Sequence, residues 1–324
     1  MDPTSEAAEG LTFAHEEGRS IRATWRGTEL FRYVYVPGNP QLESPRPYFH
    51  PLRTLSGNLV SLYRPHDHVW HKGIAWSLSN VGTENFWGGA TYTREDGYRQ
   101  TPNNGGMWHE GFDRLDLRND ELRVEERLTW VTEAGATWIR EQRRIGATAL
   151  PDAAAWVLSF ESSMTNVSGG TIPIGSPTTE GRPNAGYSGL FWRGPRSFTN
   201  GRVITPEGEG ADDFMGWRGP WMGFAGRHDE HDGASTLLMR EHPANFCFPT
   251  QWFVRSEMYA CLCPAPFFSD EYSLATGQTL TLGYDVAIAD GELDTLACER
   301  LAARSGACGL SGGGDRDEAI VQAH

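Results

Sequence analysis

Histidines are concentrated in one short stretch of the chain. His66, His68 and His71 lie close together, Asp67 stands among them, and His50 precedes them next to a proline. The chain has 10 histidines among 324 residues, so a random distribution would rarely place three of them between positions 66 and 71. Neutral imidazole transfers protons near neutral pH and also ligates zinc, iron or copper. The stretch is therefore predicted to lie in a loop or at a strand end that carries the chemistry.

Two kinds of chemistry fit this stretch. Proton transfer needs acid and base groups beside a bound substrate, which predicts His68, His71 and Asp67 as catalytic residues. In that interpretation His50 and His66 contact the substrate. The alternative is a metal site formed by His50, His68 and His71, although the helical HExxH motif is missing. A third interpretation needs no function, because backbone hydrogen bonds in a turn could satisfy the histidines.

A polar, glycine-rich loop at residues 178–193 is predicted to bind a ligand. Its Glu180 is the candidate catalytic base, and Arg182 and Arg193 can donate paired hydrogen bonds to hydroxyl or carboxylate oxygens. Tyr187 offers a flat apolar face of the kind on which sugar rings pack. The alternative is a solvated loop that leads into a core strand.

Aromatic residues alternate with amides and glycines in two further segments. Proteins hold neutral polyols by stacking aromatic rings on C–H faces and by hydrogen bonds from amides to hydroxyls. Trp87, Asn104 and His109 are therefore predicted to bind substrate. His242 and Asn245, which follow a predicted strand, are further candidates for the same role.

The composition excludes several classes of partner. A formal net charge of −14 and a pI of about 5.2 repel nucleic-acid phosphates and anionic lipid surfaces. No run of about 18 apolar residues that could cross a bilayer is present. The first residues lack the basic and apolar stretches of a secretory signal, which predicts a cytoplasmic location. Cys261 and Cys263, two of the 5 cysteines, are expected to be reduced and to share one face of a strand.

The spacing of apolar residues favours strands over helices. The many glycines and prolines, 38 and 19, break the chain into short segments typical of strands joined by turns. Alternation predicts strands at residues 156–164 and 280–288. The clearest helix is predicted at residues 295–304, with Leu296, Cys298 and Leu301 on its apolar face.

Two further predicted strands carry many charges. Residues 122–130 alternate, with an apparent slip at Glu125 and Glu126 that predicts a β-bulge. Residues 136–145 have four charged positions, which predict that one face meets water or an open cleft.

Residues 11–305 are predicted to form a single domain between two flexible ends. Residues 1–10 and 306–324 have compositions typical of flexible segments, and no composition shift divides residues 11–305. Long antiparallel strands must close into a sandwich or barrel to bury their faces. The predicted fold class is all-β, a large antiparallel β-sandwich.

Several of these segments together resemble the PmoA-like, DUF6807-type family of soluble bacterial proteins. The methane oxygenase subunit from which that name comes is an integral membrane copper protein, whereas this chain has no predicted spanning segment. The resemblance covers most of the chain. It rests on residues 46–52, 64–73, 85–89, 186–190, 242–245 and 277–284.

The resemblance implies a β-sandwich similar to galactose mutarotase, or aldose 1-epimerase. In those enzymes histidines, an arginine and a carboxylate bind carbohydrate on a concave sheet. A histidine there donates a proton to the ring oxygen while a carboxylate removes one from the anomeric hydroxyl. This implies His71 or His68 as the acid and Glu180 as the base, although no residue here matches the glutamate on the mutarotases' late strand.

The sequence thus predicts a carbohydrate-active enzyme that works by histidine and carboxylate acid–base catalysis without a cofactor. An epimerase, a hydrolase and an eliminating lyase all remain open. One alternative is an enzyme that uses one divalent transition metal at the three-histidine site, for which oxidative chemistry is open. The other is a non-catalytic carbohydrate-binding protein. The expected partner is a small-molecule sugar or glycoside, with no nucleic acid or membrane, and a homo-oligomer remains open.

Overall fold

A computed structural model describes residues 9–229 and 231–308 of the chain. Within this part the chain forms 22 strands and one α-helix. The strands are β1 Leu11–Glu16, β2 Ser20–Trp25, β3 Thr28–Val34, β4 Tyr48–Leu52, β5 Ile74–Trp76, β6 Asn80–Val81, β7 Thr91–Thr93, β8 Gly97–Arg99, β9 Gly106–Arg118, β10 Glu121–Val131, β11 Thr137–Leu150, β12 Ala155–Asn166, β13 Ile172–Gly175, β14 Leu190–Arg193, β15 Arg202–Thr205, β16 Gly208–Gly210, β17 Trp221–Arg227, β18 Ala234–Glu241, β19 Gln251–Arg255, β20 Cys261–Ala265, β21 Tyr272–Leu274 and β22 Thr279–Asp290, and the helix is α1 Thr295–Cys308.

Two large antiparallel sheets face each other. One has eight strands in the order β1-β2-β3-β4-β5-β14-β20-β19, and the other has nine in the order β16-β15-β17-β18-β22-β12-β11-β10-β9. A three-stranded sheet, β21-β13-β6, and the hairpin β7-β8 lie outside them. The predicted all-β fold class is confirmed: the described chain is an antiparallel β-sandwich.

The main hydrophobic core lies between the two large sheets. Trp156 and Phe160 of β12 contact the rings of Phe31 and Trp76 from the eight-stranded sheet, with centroids 5.5 Å apart in both pairs. Leu158 lies on the same face of β12, because alternate residues of a strand point to one side. Burial of each such side chain contributes about 1.5–3 kcal/mol, so this alternation holds the sheets together.

Helix α1 packs on the outer surface of the nine-stranded sheet. It begins at Thr295 as predicted and continues to Cys308. Cys298 and Leu301 join an apolar cluster with residues of β12 and β22. Leu296, predicted on the same apolar face, is instead 54% exposed, so the buried stripe of the helix is narrower than expected.

Charged residues of β10 and β11 point into the core and form a closed network. Arg143 donates to Glu141 (Nε to Oε1, 2.8 Å) and to the hydroxyl of Tyr33 (3.0 Å). Trp130 donates its indole N–H to the other oxygen of Glu141 at 2.7 Å, and Tyr33 hydrogen bonds to Glu126. Buried charges are tolerated when they are paired and hydrogen-bonded, which explains how these side chains occupy core positions.

This network changes two predictions. In β11 only the outer charges, such as Arg140 and Arg144, are exposed, so the charged positions do not all indicate a solvent-facing surface. In β10 the alternation is unbroken, and Glu126 stays on the core face. The register shift beside it arises from the extra residue Asp113 in β9.

The ends of the chain are described only in part. Residues 1–8 and 309–324, on which most of the predicted flexible segments fall, lie outside the described residues. Residues 306–308 form the end of α1. Within the described ranges, no helix is long and apolar enough to span a membrane.

The eight-stranded sheet presents a second apolar surface on the side away from the core. On β14, the neighbours of Phe191 on either side belong to the main core, whereas Phe191 belongs to the outer cluster. Phe253 of β19 and Cys261 and Cys263 of β20 join it there, so the two cysteines share one face as predicted. The loops that contain the histidine-rich stretch and residues 178–189 pack on this surface.

Candidate active site

A cavity of about 300 Å³ opens on the outer apolar surface. Loops that follow β4, β6, β13 and β19 cover the sheet there. The volume is at the lower end of the range for small-molecule sites. We call this cavity the histidine pocket. It is lined by His68, Trp70, His71, Trp87, Gly88, Ala90, Tyr98, Arg182, Asn184, Ala185, Tyr187, Phe191, Phe253, Arg255, Met258 and Tyr259.

His71 is the buried histidine of the pocket, with only 3% of its surface exposed. Its ring packs among those of Trp87, Phe191 and Tyr259, with centroids 4.9, 5.0 and 5.8 Å away. Its Nδ1 has no hydrogen-bond partner among the described residues. Burial lowers the pKa of His71 well below its ordinary value, and the positive charge of Arg193 adds to this effect. His71 is therefore a neutral imidazole at neutral pH.

His68 lies beside His71, with their ring centroids 4.7 Å apart. Its Nδ1 is 3.3 Å from a carboxylate oxygen of Asp67. Burial lowers the pKa of His68, whereas Asp67 opposes this by favouring the charged imidazole. The two histidines thus differ in environment, because only His68 has a carboxylate to stabilise a proton that it accepts.

Asp67 is itself positioned by an arginine. Arg196 donates to its Oδ1 at 2.8 Å. Although burial opposes it, hydrogen bonds from its own backbone and from Arg196 lower the pKa of Asp67 to about 2. Asp67 does not line the histidine pocket. It is an ionised carboxylate that lies behind His68, where it can orient the imidazole.

Arg193, at the end of β14, is buried next to these groups. It is 1% exposed, and its Nε and Nη1 have no partner within the described residues. Its guanidinium carbon lies 3.8 Å from the ring centroid of Tyr259, which lines the pocket. Burial lowers the pKa of Arg193. A buried cation without an anionic partner is costly to a protein.

Arg46 holds the aromatic wall of the pocket in place. Its guanidinium lies 4.6 Å from the ring centroid of Trp87 and donates to the backbone carbonyls of Trp70 (2.8 Å) and Trp76 (2.9 Å). Two further hydrogen bonds go to the carbonyls of residues 43 and 44. Arg46 therefore fixes two segments that supply pocket residues.

Gly89 allows the pocket loops to approach each other closely. Its φ is +70°, and a Cβ at this position would lie 3.0 Å from the ring of Trp70. Gly89→Ala is expected to destabilise the protein by about 1–3 kcal/mol, through a left-handed conformation and a displaced indole. Gly97→Ala is the matched control, because Gly97 has φ +68° and nothing within 4 Å. Thermal unfolding and near-UV circular dichroism of both variants measure the difference, and equal losses would contradict the close contact with Trp70.

Comparison with known families identifies the chain. A family model described as a family of unknown function, DUF6807, matches residues 20–303. The chain belongs to the DUF6807 family. This agrees with the resemblance seen in the sequence, and the family's description makes no connection with methane oxygenase. No curated protein matches this DUF6807 chain.

Solved structures that resemble this DUF6807 protein include three proteins of carbohydrate metabolism. An α-galactosidase from Lactobacillus brevis is 10% identical, with 87% of this chain and 39% of that chain covered and a TM-score of 0.39. A galactose mutarotase related enzyme from Lactobacillus acidophilus is 11% identical, with 88% and 99% covered and a TM-score of 0.33. A candidate aldose 1-epimerase from Klebsiella pneumoniae is 11% identical, with 91% and 83% covered and a TM-score of 0.36.

These likenesses do not transfer an activity to the DUF6807 chain. The chain spans about two fifths of the length of the α-galactosidases that it matches. Similar folds host many unrelated reactions, so function has to be argued from the residues of the site.

The histidine pocket collects five of the residues predicted from the sequence. His68, His71, Trp87, Arg182 and Tyr187 all line it. The two loops that were predicted separately, one rich in histidines and one rich in glycines, therefore meet at a single cavity. Asp67 and Arg193 lie directly behind that lining.

Glu180, the predicted base, is not brought to the pocket. It lies in a separate surface depression with Arg94, Asp96 and Glu271. The loop turns between Glu180 and Arg182, because the backbone N–H of Gly181 bonds to the carbonyl of residue 178. The DUF6807 pocket consequently has no acidic residue among its described lining residues.

The three histidines of the alternative metal site do not come together. His50 hydrogen bonds to Ser61 at 2.9 Å and stacks on Tyr63, and it does not line the histidine pocket. Burial, assisted by the charge of Arg53, lowers the pKa of His50 to about 4. Among the described residues, no group of three or more histidine, cysteine or acidic side chains could hold a metal ion. The predicted set of His50, His68 and His71 is therefore wrong as a ligand set.

The other predicted substrate-binding residues also lie away from the pocket. His66 is exposed and contacts Arg196 at 3.2 Å. Asn104 is buried and donates to the carbonyl of Gly89 at 3.0 Å, so it supports a loop that lines the pocket without contacting a ligand itself. His109 contacts the buried Glu126 at 2.7 Å.

His242 and Asn245 form part of a turn instead of a binding surface. The backbone N–H of His242 bonds to the carbonyl of Gly283. The Asn245 amide donates to the same carbonyl at 3.0 Å and accepts from the Gly283 N–H at 2.8 Å. Their position at a strand end was predicted, but these bonds give them a structural role.

Several pocket residues were missed in the sequence. Phe253 and Arg255 alternate with core residues along β19. This alternation indicates a strand with one face in the core and the other in the pocket. Tyr98 lies in the short strand β8 and Tyr259 lies in a bend, and neither segment has a distinctive sequence pattern. They reach the pocket only through the fold of the DUF6807 chain.

Proposed function

We propose that the protein binds a sugar or glycoside in the histidine pocket and catalyses proton transfer on it with His68 and His71. The observation that carries the proposal is the contact of two imidazole rings, 4.7 Å apart, inside an aromatic-lined cavity. Indoles such as those of Trp70 and Trp87 suit the C–H faces of sugar rings. The imidazoles suit hydroxyl groups as donors and acceptors.

The lining residues favour epimerisation over hydrolysis. Glycosidases generally use two carboxylates that flank the scissile bond. The described pocket lining contains no aspartate or glutamate, and no serine or cysteine that could act as a nucleophile. An imidazole can instead remove a proton and return it, which is sufficient for interconversion of the anomers of an aldose.

The proposed step moves one proton between two oxygens of the sugar. Neutral His68 removes the proton from the anomeric hydroxyl, the bond between C1 and the ring oxygen breaks, and C1 becomes an aldehyde carbon. The imidazolium of His68 then delivers the same proton to the former ring oxygen. Ring closure on the other face of the aldehyde reverses these steps, so atoms and charge balance without a cofactor.

The two histidines have different tasks in this step. Asp67 stabilises the imidazolium of His68 while it carries the proton. His71 stays neutral because burial lowers its pKa, and its N–H group hydrogen bonds to the oxygen that gains negative charge. A neutral imidazole whose pKa is lowered by its surroundings serves in this way as an electrophile in other enzymes.

The proposal is tested by the rate at which pure α-anomers equilibrate. Freshly dissolved α-D-glucose and α-D-galactose are followed by polarimetry, with and without protein. The proposal predicts faster equilibration with wild-type protein than with His68→Asn or buffer alone. Binding of these sugars with no acceleration would contradict catalysis and would support a carbohydrate-binding protein.

The pH dependence of the reaction tests the role of Asp67. Because His68 must be neutral to remove a proton, kcat/KM should fall as the pH drops through the pKa of His68, which burial places below the ordinary 6.5. Asp67→Asn removes the group that raises this pKa. The acid limb should therefore shift to lower pH, with kcat reduced about tenfold or more because the imidazolium loses its partner. An acid limb that is unchanged in position would contradict this role.

A further inference from the structure

The charge of the histidine pocket is opposite to that of the whole chain. The protein carries a formal net charge of −14, whereas Arg182 and Arg255 line the pocket and no described lining residue is acidic. Arg182 hydrogen bonds to the hydroxyl of Tyr98 and lies over its ring, but it forms no ion pair with a described carboxylate. A locally positive cavity in an acidic protein attracts anions.

Arg193 has donors that the protein itself does not use. Three arginines are among the largest fully buried side chains. Arg46 donates to four backbone carbonyls, and Arg143 pairs with Glu141. Arg193 is the exception in the described structure, because its Nε and Nη1 remain without a partner.

The carboxylate near Arg193 is already engaged. Asp67 accepts from Arg196 at 2.8 Å and contacts His68. Arg255 pairs with Asp212 at 3.3 Å, so its charge is partly compensated, whereas that of Arg193 has no ion-pair partner among the described residues. A bound anion would supply this missing compensation.

The strand register places Arg193 and Arg255 on the same face of the eight-stranded sheet, one on each side of β20. Cys261 is the partner of Arg193 on β14 and also of Arg255 on β19. Directly opposed residues of neighbouring strands share a face, and two strand spacings amount to about 10 Å. Arg255 lines the pocket and Arg193 lies behind the lining, against the ring of Tyr259, so both positive charges act on the same end of the pocket.

We propose that the sugar bound in the histidine pocket is an acidic sugar, whose carboxylate or phosphate group contacts Arg255 at the lining and is attracted by the buried charge of Arg193 behind it. This rests on the proposed function, because it takes the ligand to be a sugar that His68 and His71 contact. The guanidinium fork of Arg255 matches the oxygens of either anion. The anionic group would then fix which end of the sugar faces the two histidines.

The test is isothermal titration of the intact protein with three probes of one stereochemistry. These are D-glucose, D-glucuronate and D-glucose 6-phosphate, which differ only in the group at C6. At least one anionic probe should bind about tenfold or more tightly than the neutral sugar, and the tighter of the two distinguishes carboxylate from phosphate. Galactose-series probes repeat the comparison.

Two variants and one control locate the anion. Arg193→Met and Arg255→Gln should each weaken binding of the preferred anionic probe about tenfold or more and change binding of the neutral sugar much less. Arg255 is partly exposed, so its variant remains informative even if Arg193→Met unfolds. Arg144→Gln, an exposed arginine on the other sheet, removes the same charge and should have no effect.

The outcomes separate this inference from the proposed function. Equal affinity for the neutral and anionic probes would overturn the inference that the ligand is an acidic sugar. An equal loss of affinity for the anionic probe in all three variants would also overturn it. Both conclusions hold even if the protein accelerates the equilibration of anomers. Selective binding of an anion that depends on Arg193 or Arg255, without any acceleration, supports the ligand class and overturns the catalytic proposal.

Discussion

Replacement of His68 by asparagine is expected to lower kcat/KM for sugar equilibration by about 10²–10⁴-fold, the usual contribution of one general acid–base residue. Asparagine keeps a polar group near Asp67 but cannot accept the proton from the anomeric hydroxyl. Because His68 is only partly buried, the fold should survive. Polarimetry of the purified variant gives the rate, and circular dichroism verifies the fold.

His66→Asn is the matched control for this experiment. His66 lies two positions away in the same loop, is exposed, and does not line the pocket. Its substitution should leave kcat/KM within about twofold of wild type. If the two variants are equally active, or equally inactive, the assignment of proton transfer to His68 is wrong.

The second large effect concerns stability. Glu141→Gln should lower the free energy of unfolding by about 3–5 kcal/mol, because it leaves the buried Arg143 without its ionised partner. Glu141 also accepts hydrogen bonds from Trp130 and Ser162, at 2.7 and 2.6 Å, which the amide satisfies less well. The melting temperature should fall by on the order of 10 °C.

Glu161→Gln provides the comparison for this prediction. Glu161 lies on the neighbouring strand and pairs with Arg144 at 2.9 Å on the outer surface of the same sheet. Solvent-exposed ion pairs contribute about 0–1 kcal/mol, so this variant should melt close to wild type. Similar losses in both variants would mean that the buried network is no more important than a surface pair.

The sequence was sufficient to predict the fold class, and it singled out two histidines that line the same cavity. Period-two alternation at residues 156–164 and 280–288 predicted two strands that pair with each other in the structure. The density of histidines predicted His68 and His71 as the chemical centre, and the structure places them in one cavity. The fold prediction is confirmed because alternation depends only on neighbouring residues, whereas the chemical role of the two histidines stays a prediction.

The sequence could not reveal features that depend on distant partners. The charged positions Glu141 and Arg143 were predicted to face water or a cleft, because nothing local shows that their charges are compensated inside the core. Glu180 and Arg182 belong to one loop, yet one turn of backbone directs them to different surfaces. The location of Tyr259 against Arg193 depends on strands that are far apart in the sequence.

The most direct test of the central claim is a long-range ¹H–¹⁵N spectrum of the histidine rings, recorded while D-glucuronate or D-glucose 6-phosphate is added. The claim is that His68 and His71 contact the bound sugar. It predicts that the signals of these two rings shift with the ligand concentration, whereas those of His50, His66 and His109 stay in place. Shifts at other histidines with none at His68 and His71 would contradict it.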